Sequence, residues 1–183
     1  MIDSNKFISN YMSIFGVLVS SQFDAITALL TDISKDTNLT DIRWIAYSLA
    51  TVKYETDDTY LPIEEIGKGR NYSYGNPDPI TGQTYYGRGY VDEFRWKRKY
   101  QEFENHLKLP LVNSPDIALD PTIAYKILSL GMRQGLFTGK KLSDYIINNQ
   151  CDYFNARKII NGLNHASAIE QFANQFELIL KNS

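Results

Sequence analysis

One segment interrupts the helical periodicity of this chain. Up to about residue 59, and again from about residue 95, apolar residues recur at the three- and four-residue steps of amphipathic helices. Between Tyr60 and Tyr90 the pattern stops, and the segment holds six of the eleven glycines, three of the six prolines and six of the thirteen tyrosines. Any fold for the chain must therefore be built from helices and carry one long, turn-rich insert.

The helical parts read clearly. Ile8, Tyr11, Met12 and Phe15 share a stripe that Gly16 ends. A second helix is predicted from Ser21, where Ser21 and Asp24 have capping-box spacing, with Phe23, Ile26, Leu29, Leu30 and Ile33 as its apolar set. Thr40 caps a third, which buries Ile42, Ile45, Ala46, Leu49 and Val52. Beyond the insert, helices are predicted over about Arg95 to Leu107, then from Pro121 at the first position after Asp120. Gly139 reads as a stop, Leu142 to Ile147 as a short helix, and the last helices as Tyr153–Ile160 and His165–Leu180. Within the insert, Asn76 to Gly82 is turn chemistry, and Tyr72, Tyr74, Thr84, Tyr85 and Tyr86 around it favour extended backbone. The expectation is one mainly α domain over residues 1–183, with a long loop and small β-hairpin at about residues 60–92.

Composition narrows the function. A length of 183 residues suits a single core. Cys151 has no partner in the chain, so there is no internal disulfide, and it is expected as a small buried residue rather than a nucleophile. The apolar run Ile14 to Val19 is far short of a membrane span and lacks a basic stretch before it, so neither membrane insertion nor a secretory signal is expected. A net charge of −2 and a pI near 5.7 argue against nucleic acid as partner. His106 and His165 are isolated, and no metal-ligand or Ser-His motif occurs, so no metal and no cofactor are expected.

Three groups of residues could carry chemistry. Glu55 lies at the edge of the third helix's apolar stripe, half shielded by core; desolvation there would favour the neutral acid that a proton donor needs. The plainer alternative is a solvated last-turn glutamate paired with Lys53. Glu64 and Glu65 follow nine and ten residues later, past Pro62. Two carboxyls across a short loop are the arrangement of inverting glycosidases, in which one protonates the leaving oxygen and the other activates water. Asp57 and Asp58 read as a solvated turn. Finally, Tyr85-Tyr86-Gly87-Arg88-Gly89-Tyr90 sets an arginine between glycines, which allow close backbone approach, and beside aromatic faces on which sugar rings stack. Tyrosines packed for structure in a tight return are the equal alternative.

Taken together, these segments resemble a known family. Ala46 to Thr56, ending Tyr54-Glu55-Thr56, resembles the helix carrying the His-Glu-Thr or His-Glu-Ser motif of the family 19 glycoside hydrolases, which comprise plant-type chitinases and many phage endolysins. Tyr85-Tyr86-Gly87-Arg88-Gly89 is similar to their Tyr-Tyr-Gly-Arg-Gly signature, and Arg157 to Gly162 to their Arg-x-Ile-Ile-Asn-Gly segment. Pro62–Glu65, Leu111–Asp116 and Gly139–Tyr145 also have counterparts in the endolysin branch, in the same order.

The resemblance implies a lysozyme-like α-helical domain with a hairpin on one wall of a cleft. Glu55 would be the general acid and Glu65 the base, with Glu64 its rival. Tyr85, Tyr86, Arg88, Tyr90, Arg157 and Asn161 would be substrate-binding residues. An arginine beside a carboxylate holds it ionised, which suits a base, so arginine influence is expected nearer Glu65 than Glu55. The chain departs from the family in three places. Tyr54 stands for the histidine, Asp92-Glu93-Phe94-Arg95 replaces a segment with Gln and a hydroxyl that helps place water, and Lys99 replaces an asparagine before Tyr100. The function implied is a peptidoglycan hydrolase, an endolysin or muramidase that cuts β-1,4 amino-sugar links with inversion. It would act as a monomer and wait in the cytoplasm until holin-type release to the wall. The alternatives are a chitinase on N-acetylglucosamine polymers, or a non-catalytic wall-binding protein with an altered site.

Overall fold

The computed structural model describes residues 2–183. Helix α1 (Ser4–Phe15) begins at Asp3, whose carboxylate accepts the Asn5 and Lys6 amides, and ends at Gly16 with φ +94°. Its buried side chains are Phe7, Ile8 and Tyr11; Met12, expected in the stripe, is 40% exposed. Helix α2 (Ser20–Lys35) starts without the expected Ser21–Asp24 box, because the Gln22 side chain accepts the Val19 amide instead. Asp41, rather than Thr40, caps α3 (Ile42–Glu55) by accepting the Arg43 amide. From Ile45 to Lys53 every residue of α3 is buried, so it is the central helix rather than a one-sided one. It packs along α7 (Ala166–Lys181), which α1 also contacts.

The second half of the chain adds α4 (Lys97–Leu107), α5 (Pro121–Gln134) and the short α6 (Tyr153–Ala156), which runs into a 3₁₀ turn at Arg157–Ile159. Asp120 caps α5 through the Ile123 amide, with Pro121 at the first position as the sequence implies. The helix stops at Gly135, which has φ +74°, four residues before the expected Gly139. Leu142 to Ile147 is not a helix. It is a 3₁₀ turn at Leu142–Asp144 followed by strand β3 (Ile146–Ile147), paired with β4 (Gln150–Cys151). Cys151 is exposed on β4, not buried.

The insert forms its two-stranded ladder at its ends. Strand β1 (Ile63–Glu64) pairs antiparallel with β2 (Arg88–Gly89), in the register Ile63 to Gly89 and Glu64 to Arg88. Around the 76–82 turn, where a hairpin was expected, only isolated bonds form, from the Tyr85 amide to Tyr74 O and from the Asp78 amide to Gln83 O. Pro77 and Pro79 have no N–H to give a ladder, and the Asp78 carboxylate draws the Ile80 and Thr81 amides into a tight turn. Ser73–Gly75 is a 3₁₀ turn. The mainly α class with a long loop and small β element stands, with the strands moved to the neck of the loop.

Candidate active site

Glu55 ends α3 with a side chain 12% exposed, against Arg157 at the end of α6. The Arg157 guanidinium donates to Glu55 Oε1 at 2.6 Å and through Nε to Asn164 O at 3.1 Å. The arginine is thus on Glu55, not on Glu65 as the sequence reading expected. Burial raises the Glu55 pKa and outweighs the opposing pull of Arg157, while the charges of Asp92 and Glu93 push it further up. The alternative of a solvated glutamate paired with Lys53 is excluded, because Lys53 turns the other way, to Asp58.

Successive residues of a strand face opposite sides, and Glu64 and Glu65 part accordingly. Glu64 accepts from Tyr86 Oη at 2.6 Å and pairs with Lys68 at 2.9 Å, and these donors hold its carboxyl below the usual range. Glu65 Oε1 accepts from Tyr74 Oη at 2.7 Å, and Oε2 accepts the Gly87 amide at 2.9 Å; the Glu65 amide in turn donates to Gly87 O at 2.8 Å. The Tyr74 hydroxyl, partly desolvated and facing that carboxylate, has its pKa pushed up to about 12. Asp92 interacts through charge with both Glu55 and Glu65. Its own carboxyl is raised by burial and by the charge of Glu65, and its charge reaches Glu55. The segment Tyr90–Arg95 therefore enters the site as a third carboxyl where the resembling family has a hydroxyl. Glu65, on the Asp92 side, shares this environment; Glu64 does not.

The Tyr85–Tyr90 run is buried throughout, and this corrects the substrate-binding reading of most of its members. Tyr85 and Tyr90 are each 2% exposed and belong to the core; Tyr85 Oη reaches Val112 O. Arg88, 3% exposed, stacks 3.6 Å over the Tyr86 ring, bonds Thr84 O and Tyr100 Oη, and lies 2.8 Å from Asp116. It holds the loop rather than facing a ligand. The segment is covered on both faces because its glycines let backbone come close. A side chain at Gly87 would lie 2.8 Å from Asp92 O and 3.3 Å from Glu65 Cβ. Asn161 is exposed on the 161–165 loop that follows Arg157, with Oδ1 on the Gly162 amide.

The exposed aromatics near this segment lie elsewhere, at two positions that the sequence reading did not single out. Tyr72 and Trp96 flank Tyr74 and are exposed, whereas the other tyrosines between Tyr60 and Tyr90 are buried. A surface cavity of about 970 Å³ between α4 and Gly135–Gly139 touches neither Glu55 nor Glu65. Among the described residues, no cluster of His, Cys, Asp and Glu is placed to hold a metal ion, and no helix is long and apolar enough to cross a membrane.

No family model and no curated protein sequence matches the chain. Solved structures do match. Chitinase C from Streptomyces griseus HUT6037 superposes with a TM-score of 0.64 at 20% identity, covering 100% of this chain and 77% of that one. A chitinase C mutant gives a TM-score of 0.57 at 20% identity, over 100% and 93% of the two chains. A bacterial family 19 chitinase gives 0.54 at 16% identity, over 100% and 96%. Across its full length, this chain has the mainly α fold of a family 19 chitinase.

Proposed function

We propose that the chain is a glycoside hydrolase that cuts β-1,4 links between N-acetylated amino sugars, with Glu55 as general acid and Glu65 as general base. The observation that carries the reading is the state of Glu55: a mostly buried carboxyl raised in pKa although an arginine touches it. A proton donor to a glycosidic oxygen needs that combination, a proton held more tightly than by a free carboxyl and a partner that steadies the anion left behind. Glu65 suits the base, because two donors orient its carboxylate on the side where Asp92 links it to Glu55. Glu64 is engaged by Lys68 and Tyr86. Cleavage with inversion requires a water between the two carboxyls.

Peptidoglycan is the substrate we favour, on the sequence resemblance to endolysins; chitin is the second reading, supported by the chitinases that share the fold. Glu55→Gln is expected to lower hydrolysis of purified sacculi or chitin oligomers by at least about a hundredfold. Full activity in that variant would sink the assignment. Release of sugar from sacculi or from chitin oligomers separates the two substrates, and the new reducing end of sacculus fragments, read by mass spectrometry, tells whether the bond cut follows the muramic or the glucosamine unit. Co-sedimentation with sacculi without any released sugar would identify a non-catalytic binder.

A further inference from the structure

We propose that Tyr72, stacked on Tyr74 beside Trp96, is the platform of a sugar subsite on the Glu65 side of the active site. The proposal rests on the hydrolase reading for the identity of the ligand, a β-linked amino-sugar chain, and on the structure for the place. The Tyr72 ring lies parallel to Tyr74, at 5.2 Å between centroids and 5° between planes, and Trp96 meets Tyr74 edge-on at 4.8 Å. Tyr74 is buried, whereas Tyr72 is 59% and Trp96 48% exposed. The stack thus has a covered centre and two open flanks. The Tyr74 hydroxyl donates to Glu65, so the platform is one residue away from the proposed base.

Chance exposure of a tyrosine on a floppy loop would look different. Tyr72 is held by its amide to Gly69 O at 2.9 Å, and its carbonyl accepts the Gly75 amide at 3.1 Å. Gly69 and Gly75 press together so closely that a Cβ on Gly75 would sit 2.3 Å from Gly69 O. Asn71 and Trp96 both adopt φ of +73°, a conformation that costs about 1 kcal/mol or more for a side chain of tryptophan's size. Backbone held in that region beside Tyr72 and at Trp96 fixes the two ends of the aromatic stack in place. Beside Trp96 lies a shallow hollow of about 330 Å³, lined among others by Ser73, Asn76 and the Lys97–Asp78 ion pair, polar groups suited to hydroxyl and acetamido groups. A pyranose offers complementary surfaces, an apolar C–H face for the ring and polar edges for the rim.

Tyr72→Ala is expected to raise KM for long N-acetylglucosamine oligomers about tenfold while kcat stays within about twofold. Tyr72→Phe should retain the wild-type KM, because the ring face and not the hydroxyl makes the contact. The loss should shrink for oligomers too short to reach the subsite. A direct reading comes from fluorescence: saturable change of Trp96 emission on adding oligomer, present in W44F and absent in W96F, and shifted about tenfold in midpoint by Tyr72→Ala. An unchanged KM in Tyr72→Ala, on substrate that the wild type hydrolyses, overturns the platform and leaves the hydrolase reading intact. If the wild type hydrolyses nothing, the hydrolase reading fails while the titration still decides the platform. A saturable, Tyr72-dependent change then supports it, and no saturable change overturns it.

Discussion

Arg157 Nη1 lies 2.6 Å from Glu55 Oε1, joining residues 102 positions apart at the ends of α6 and α3. Both side chains are almost out of water, at 5% and 12% exposure, so the cation acts on the acid with little screening. Removing it takes away the influence that lowers the Glu55 pKa. Arg157→Met is therefore expected to move the alkaline limb of the kcat/KM profile to higher pH. Urea unfolding at pH 7 should show a loss of about 3 kcal/mol, because one partner of a buried pair is left alone.

The same carboxyl makes stability depend on pH. Glu55 is raised in the folded state, so the fold binds a proton more tightly than the unfolded chain does. Its contribution is full below the unfolded carboxyl value near 4.3, and is lost as pH rises through the higher folded value. Unfolding midpoints measured across that window should fall with pH in the wild type and stay flatter in Glu55→Gln.

Asp92 tests the electrostatics from the other side. Its charge raises Glu55, alongside the charge of Glu93 and against that of Arg157. Asp92→Asn should shift the alkaline limb to lower pH, opposite to Arg157→Met. Identical limbs in wild type and Asp92→Asn would show that the two groups do not communicate.

The turn after Glu55 has its own clamp. Lys53, 7% exposed, meets Asp58 Oδ1 at 2.5 Å and Tyr11 Oη at 3.2 Å, with its ammonium 4.4 Å from the Phe15 ring centroid. Asp57, Asp58 and Tyr60 all have positive φ in this turn. Because Asp58 is 46% exposed and Lys53 is not, the two deletions differ. Asp58→Ala strands a buried ammonium and should cost about 3 kcal/mol, whereas Lys53→Met leaves a solvated carboxylate and should cost less than half of that. Denaturant midpoints of the two variants give the order directly.

Gly87→Ala would place a methyl group 2.8 Å from Asp92 O and 3.3 Å from Glu65 Cβ. Backbone must shift to accept it, at a cost of about 1–3 kcal/mol. Since Gly87 also bonds Glu65 through its amide, kcat should fall along with stability. Wild-type kcat in this variant would separate Glu65 from the chemistry.

Most helices were legible in the chain because their causes are local. Gly16 ends α1, Asp120-Pro121 starts α5, and apolar spacing marks α2 and α7, all within a turn or two of sequence. Errors of a residue or two at the starts of α2 and α3 came from choosing among adjacent capping groups, where Gln22 and Asp41 won. The resemblance named Glu55, Glu65 with Glu64 as its rival, and Arg157, but the electrostatic argument that an arginine suits a base put arginine influence nearer Glu65, whereas Arg157 meets Glu55. No local signal says which carboxyl a guanidinium 102 residues away will meet.

The tyrosine-rich insert shows where sequence stopped and packing took over. Its glycines and prolines determined that residues 60–90 would be neither helix nor a long sheet, since prolines lack the N–H and glycines release the backbone. They did not determine which aromatic faces stay open. Tyr85 and Tyr86 are covered where Tyr100 of α4 meets the Tyr85 ring and the Tyr86 carbonyl, and α5 packs on the adjoining β2, while Tyr72 and Trp96 stay about half exposed. Exposure in a segment without periodicity is a property of its distant neighbours, so only the tertiary structure could assign those rings, and Arg157, to their places.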